Sequence, residues 1–285
     1  MNEAGYSILL VALLVITGAS YLVRVLRSGR ARFERTDKHG GSAMLSKRFT
    51  EMGYWALQPI ARAMIALGIR PNAITWMSGV LGVGAAFALS QGRFGIGAVL
   101  ALASNFCDIL DGLVARAMKM ASDVGEVLDA AIDRWSDFLF LAGLVYFYRG
   151  DPVLLTMTLA AMGGSFMISY ATAKAEALRV EPPRTAMRRP ERSVYLVAGA
   201  ALTPLSVKLL EVPPRFVAPI GLPMVVAIGV VALVSIVASI RAFVTITGRV
   251  RVREAAERKI AGLADERAEP QALDAKAKPS SAGGE

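Results

Sequence analysis

Residues 94–148 read FGIGAVLALASNFCDILDGLVARAMKMASDVGEVLDAAIDRWSDFLFLAGLVYFY, and the organisation of the whole chain follows from this stretch. It holds two apolar runs, Phe94–Val114 and Gly125–Tyr148, each matching the roughly 20 residues that a bilayer core demands. Both runs nevertheless carry carboxylates: Asp108 and Asp111 in the first, and Asp129, Asp133 and Asp137 in the second. A charge at the centre of a bare spanning helix costs about 2.5–3.5 kcal/mol even on lenient insertion scales. Carboxylates gathered at such a cost imply chemistry.

Their spacing sharpens the reading. Asp108 and Asp111 are i,i+3, while Asp129, Asp133 and Asp137 are successive i,i+4 neighbours, so each set shares one helix face. At 1.5 Å per residue, Asp108 and Asp111 lie about 21–26 Å along a span entered near Phe94. Asp129 and Asp133 lie about 6–12 Å along one that starts near Gly125. If the second run begins on the cytoplasmic side, both sets reach one level near that face. Clustered carboxylates repel unless cations sit between them, and hard oxygen ligands favour Mg²⁺ or Mn²⁺.

Working outward, five further apolar segments qualify as spans: Tyr6–Leu26, Asn72–Ser90, Pro152–Ala177, Ser193–Leu210 and Val217–Thr247. The last is overlong and contains Pro219 and Pro223, so its start is expected near Pro223. The first has no basic residues before it and is followed by Arg24 and Arg27, which suits an anchor with its N-terminus outside better than a signal peptide. Composition agrees with a polytopic all-α membrane protein. Of 285 residues 54% are hydrophobic and 19% charged, with a mean hydropathy of +0.48. A soluble domain usually carries about 25% charged residues, so a water-soluble enzyme and a disordered chain are both excluded. One cysteine, Cys107, rules out an intramolecular disulfide.

The net charge of +9 could suggest nucleic acid. Its distribution argues for positive loops instead, and no nucleic-acid partner is expected. Basic residues crowd the segment between the first and second spans, the link from Lys174 to Arg192, and Arg249 to Arg253. The loops at Gly92 and Gly150 hold only Arg93 and Arg149. Heavy and light loops alternate, which puts the heavy ones, and with them the carboxylates, on the cytoplasmic side of the cell (inner) membrane. Met44–Ile69 mixes Trp55, Leu57, Ile60, Met64 and Leu67 with Lys47, Arg48 and Arg62, and reads as a helix lying along that interface. His39 falls in a Gly-rich polar link and reads as solvated.

Three readings compete for the carboxylates: a divalent-metal site for phosphate chemistry, a transporter with buried acidic groups, and a structural polar cluster. Transporter sites usually sit at mid-bilayer in broken helices built from internal repeats, and neither feature is visible. The neighbours of the carboxylates then decide. Asp108, Asp111, Gly112, Ala115 and Arg116 are followed after eight residues by Gly125, Asp129 and Asp133. This resembles the signature of the CDP-alcohol phosphatidyltransferases, D-x2-D-G-x2-A-R-x8-G-x3-D-x3-D, at all eight fixed positions. The resemblance extends over about Leu45–Leu210.

What the resemblance implies is specific. The fold would be six transmembrane helices around a polar cavity open to the cytoplasm, usually as a homodimer, here with an extra N-terminal transmembrane helix. Small residues Gly79, Gly82, Gly84 and Ala85 would let those helices pack closely. The parts are then an N-terminal transmembrane anchor (1–30), separable from the chemistry, and a basic link with the interfacial helix (31–70). A six-helix catalytic membrane domain (71–250) and a charged cytoplasmic tail (251–285), helical at first and then disordered, complete the chain.

Two Mg²⁺ or Mn²⁺ ions would be held by Asp108, Asp111, Asp129 and Asp133, with Asp133 also the proton acceptor. The reaction would transfer a phosphatidyl group from CDP-diacylglycerol to the hydroxyl of a small polar alcohol, releasing CMP and making a phospholipid. Gly112, Ala115 and Gly125 would let the nucleotide approach the helix backbone. Arg116, Ser122 and the stretch Asn72, Ala73, Ile74 and Thr75 would touch it. The other role open to Asn72 and Thr75 is capping of the helix they begin; for Arg116 it is snorkelling to the interface. Asp137 continues the polar face with no role beyond support.

For the acceptor, Ser169-Tyr170-Ala171-Thr172-Ala173-Lys174-Ala175-Glu176-Ala177 and then Arg189-Pro190-Glu191-Arg192 resemble the actinobacterial phosphatidylinositol-phosphate synthases. Those carry S-Y-x-K-A-R-A-E-A and then R-P-E-R. The resemblance implies inositol 1-phosphate as acceptor, its phosphate held by Lys174, Arg189 and Arg192. Thr172, Lys174 and Asp123 depart from that pattern, and phosphatidylglycerol-phosphate synthesis from glycerol 3-phosphate is the neighbouring alternative. Positive-inside bias is the other explanation for each of these basic residues.

Overall fold

The computed structural model describes residues 2–29, 47–183, 185–209 and 221–277. The expectations for His39, the basic stretch 30–46, Arg184 and the span start at Val217 lie outside the described residues. The α-helices among the described residues are α1 (Glu3–Ser28), α2 (Lys47–Ala66), α3 (Pro71–Ser90), α4 (Phe94–Ala117), α5 (Asp123–Phe147), α6 (Pro152–Ala177), α7 (Arg189–Leu209) and α8 (Leu222–Ala277).

The helix starts follow local chemistry. Pro71 and Pro152 open α3 and α6 at the position where the missing N–H costs nothing. Asp151 caps α6, its carboxylate accepting from the amides of Val153 and Leu154 at 2.9 and 3.0 Å. Ser122 caps α5, its hydroxyl oxygen accepting from Gly125 N at 3.2 Å. Capping is not what Asn72 and Thr75 do: Arg70 is the N-cap of α3, and both residues lie inside the helix.

Among the described residues five helices, α1, α3, α4, α6 and α8, are long and apolar enough to cross a membrane by length and composition. Seven spans were expected, and the other two, α5 and α7, miss this apolar criterion for a physical reason. α5 opens with Asp123, Glu126, Asp129, Asp133, Arg134 and Asp137, and α7 opens with Arg189, Glu191 and Arg192. The groups that would do the chemistry dilute the apolar character of the two helices that carry them. Leu222 opens α8, next to the expected Pro223. The helix then runs on through the charged segment to Ala277.

α3 packs against α4 and α5, α6 and α7 pack against α8, and α4 also meets α7. The α3–α5 contact is parallel and close. A side chain added at Gly79 would meet Ile132 at 3.5 Å, and one at Gly82 would meet Ser136 Oγ at 3.2 Å. At Gly143 a Cβ would lie 2.4 Å from the Ala86 carbonyl oxygen. The main apolar core joins Leu89, Phe94, Leu144, Leu154 and Ile228 at the end of the bundle away from the carboxylates. Outward-facing Val80, Val83, Phe87, Leu233 and Val244 leave an apolar surface suited to lipid.

The N-terminal helix is not apart from this bundle. It packs on α4, α7 and α2.

Candidate active site

α4 and α5 bring three of the expected carboxylates together. Asp108, Asp129 and Asp133 each offer an oxygen within 4.8 Å of the others, a grouping able to hold a divalent ion. Asp111 lies one turn further along α4, only 5% exposed, and its Oδ2 accepts from Thr75 Oγ1 at 2.7 Å. Ser78, three residues on along α3, donates to Asp108 Oδ1 at 2.5 Å. α3 therefore supplies one hydroxyl to each carboxylate of α4. Hydrogen bonds of this kind orient the ligand oxygens and are charge-assisted. Ser78 escaped the sequence reading, although its i+3 spacing from Thr75 was a usable signal.

The N-terminus of α7 supplies the opposite charge. Arg189 forms ion pairs with Asp108, with Asp133 at 2.9 Å and with Asp137 at 3.7 Å. Arg192 pairs with Asp137 at 2.7 Å and donates to the Met187 carbonyl at 2.9 Å. These two arginines neutralise the carboxylate face from the side opposite α3. Asp137 thus has the supporting role that the polar face suggested, with two cations as partners.

One cavity of about 1380 Å³ is bordered by Arg189 and the four motif carboxylates. Asp108, Asp111, Asp129 and Asp133 line it, and so do Asn72, Thr75, Gly112, Ala115, Arg116, Ser122 and Gly125. A Cβ on Gly112 would stand 3.2 Å from a guanidinium nitrogen of Arg116, so the glycine makes room for that arginine. One on Gly125 would stand 3.7 Å from Asn72 Oδ1, which marks where the starts of α3 and α5 meet.

Other expected residues fall elsewhere. Ile74 is fully buried in a core cluster with Leu57, Leu110 and Val114. Ala73 is exposed, and neither it nor Ile74 lines the cavity. Lys174 is exposed near the end of α6 and does not line it either. Arg192 borders a separate small pocket beside Ser136 and Asp137. Of the three expected acceptor cations only Arg189 faces the large cavity, where it is joined by Arg188. The sequence reading passed over Arg188, although it begins the same basic run.

Apolar residues complete the cavity wall, including Leu10, Leu14, Leu57, Phe106 and Leu202. A charged floor with an apolar wall can hold a polyanionic head and a hydrocarbon tail together.

Comparison with known proteins gives the same picture. Residues 68–247 match the family model of the CDP-alcohol phosphatidyltransferases. The chain is 34% identical over 149 residues to a phosphatidylinositol phosphate synthase of Mycobacterium marinum, an alignment spanning 51% of this chain and 64% of that protein. The chain thus matches slightly less than two thirds of that relative. It is also similar to the crystal structure of the Mycobacterium tuberculosis phosphatidylinositol phosphate synthase with CDP-DAG bound, with a TM-score of 0.57 and 29% identity, over 66% of this chain and 92% of that one. The same enzyme in complex with manganese and citrate matches with a TM-score of 0.57 and 29% identity, over 66% and 87% of the two chains.

Proposed function

This chain belongs to the CDP-alcohol phosphatidyltransferase family, and from that premise we propose that it transfers a phosphatidyl group from CDP-diacylglycerol to an alcohol, inositol 1-phosphate, releasing CMP. The observation that carries the reading is the single cavity in which Asp108, Asp111, Asp129 and Asp133 share space with an apolar wall.

The residues present fit divalent cations, because every donor in the group of Asp108, Asp129 and Asp133 is a hard carboxylate oxygen. Those three, with Asp111 beside them, would hold two Mg²⁺ or Mn²⁺ ions, which neutralise charge on the pyrophosphate and on the phosphoryl group in flight.

The chain's own groups divide the remaining work. Asp133 takes the proton from the acceptor hydroxyl. A paired carboxylate is a weak base, but placement within reach of the proton comes first. The acceptor oxygen then bonds to the phosphorus bearing the diacylglycerol, and the bond from that phosphorus to the bridging oxygen breaks, so that CMP leaves. Thr75 and Ser78 fix the carboxylates of α4. Arg116, Asn72, Ser122 and the small residues Gly112, Ala115 and Gly125 form the nucleotide side. Arg188 and Arg189 hold the acceptor's phosphate, which a cation pair suits and free inositol would not require.

The enzyme is an integral membrane protein. Its placement in the cell (inner) membrane with the cavity facing the cytoplasm is supported by the alternation of basic and neutral loops. The homodimer is carried over from the family resemblance.

The test is release of CMP from labelled CDP-diacylglycerol in membranes, with inositol 1-phosphate, glycerol 3-phosphate and free inositol as acceptors. Release with inositol 1-phosphate alone is the expected result. Use of glycerol 3-phosphate alone would keep the transfer and replace the acceptor. Equal use of free inositol would remove the phosphate pocket.

A further inference from the structure

The first helix is fastened to the bundle at its two ends and is largely exposed between them. At its start, Glu3 Oε2 accepts from the amides of Gly95 and Ile96 at 2.9 and 3.3 Å, capping α4 from another helix. Glu3 also pairs with Arg93 at 3.4 Å. Gly95 has no room for a side chain, since a Cβ there would lie 2.4 Å from the Glu3 carbonyl oxygen. Ala4 and Ser7 are buried in the same contact. At the other end, buried Tyr21 donates to Glu51 at 3.4 Å and packs at a 49° tilt against Trp55 with ring centroids 5.6 Å apart. Arg24 lies over the same Trp55 ring at 5.9 Å.

Between these clamps the helix is uncovered. Leu13 is 49% and Leu14 52% exposed, although both, with Leu10 and Thr17, line the cavity that holds the carboxylates. α1 is thus an arch fastened at both ends, its underside forming part of the apolar wall. The wall is continuous with the charged floor, so whatever polar head binds at Asp108 and Asp129 carries its tail towards these leucines.

We propose that α1 is part of the substrate site: Leu10, Leu13, Leu14 and Thr17 contact the acyl chains of the CDP-lipid donor and set which chain lengths are accepted. The proposal rests on the reading of the cavity as a phosphatidyltransferase site. Its occupant is the donor's hydrocarbon rather than bulk lipid, because α1 closes over the reactive cavity and is held there by polar contacts at both ends.

The experiment has two arms, both on the full chain in nanodiscs. In the first, CMP release is measured with long-chain and short-chain CDP-diacylglycerols. Leu14→Trp should lower kcat/KM for the long-chain donor by about tenfold relative to the short-chain donor, as expected when roughly two methylenes lose their apolar contact. Ile16→Trp, on the lipid-facing side of α1 and 63% exposed, should leave that ratio unchanged. Equal ratios in the parent and Leu14→Trp would overturn the proposal.

The second arm uses the unmutated protein and so does not depend on a variant folding. A CDP-diacylglycerol with a photoreactive group at the end of one chain is irradiated and its adducts are mapped by mass spectrometry. Adducts within residues 10–17, competed away by unlabelled long-chain donor, are expected. Release of CMP by the parent with no adduct in α1 removes the wall and keeps the reaction. Competed adducts in α1 from a parent that releases no CMP keep the wall and remove the reaction.

Discussion

Arg192 and Asp137 form an ion pair at 2.7 Å in which the arginine side chain is only 4% exposed. The pair ties α7 to α5 beside the cavity, and Met187 O fixes the other side of the same guanidinium. Its position makes Arg192 a clamp on the fold. Removing one partner of a buried pair typically costs about 3–5 kcal/mol, because the other charge is left behind. Arg192→Met should therefore lower the thermal stability of the detergent-solubilised protein markedly. Arg192→Met combined with Asp137→Leu should recover most of that loss, since an apolar pair of similar volume is often neutral. A lone rise in acceptor KM with unchanged stability would return Arg192 to the acceptor.

Metal dependence follows from the donor set of Asp108, Asp129 and Asp133. EDTA should abolish CMP release, and Mg²⁺ or Mn²⁺ should restore it. Asp129→Asn should lose more than about 100-fold in rate, roughly 3 kcal/mol of transition-state stabilisation. Full activity in EDTA would overturn the metal dependence and leave the transfer reaction without its ions.

Thr75 offers a finer probe, because it touches Asp111 through one hydroxyl at 2.7 Å. Thr75→Val keeps the shape and removes the donor. Losing such an outer hydrogen bond usually costs about 10- to 100-fold in metal affinity or activity. The expected result is a higher Mg²⁺ concentration for half-maximal activity, with Thr75→Ser restoring much of the affinity. An unchanged Mg²⁺ titration would mean that Asp111 needs no positioning.

The acceptor cations can be sorted by which of them face the cavity. Arg188→Gln should raise the acceptor KM by about 10- to 150-fold, the worth of one charge-assisted contact. The KM for the CDP-lipid should barely move. Lys174→Gln should change neither, since Lys174 is exposed and lies off the cavity. The reverse pattern would put the phosphate at the end of α6.

Much of this architecture is legible in the residues themselves. Pro71, Ser122 and Asp151 announce three helix starts, and the i,i+3 and i,i+4 spacings announce which carboxylates share a face. Two features are hidden for physical reasons. The docking of the middle of α1 is hidden because lipid and protein are equally apolar neighbours within a bilayer. Leu13 facing the cavity and Ile16 facing lipid look alike in sequence. The pairing of Arg192 with Asp137 is hidden differently: the partners are 55 residues apart, and a basic loop already explains an arginine there. Among the described residues α5 and α7 miss the apolar criterion for a span because they give up hydrophobicity to the charges they carry.

Gly143 gives the site a mechanical tolerance. Its Cα faces the Ala86 carbonyl so closely that a single methyl would act as a shim, 2.4 Å from that oxygen. Ten residues separate Gly143 from Asp133, about 15 Å along the same rod. α3 and α5 are stiff over that length, so a wedge at one end would move Asp129 and Asp133 of α5 away from Asp108 and Asp111, which stay tied to α3 through Ser78 and Thr75. The catalytic spacing is thus machined at a point where nothing reacts, and a mutation there could silence the enzyme while leaving every ligand in the chain.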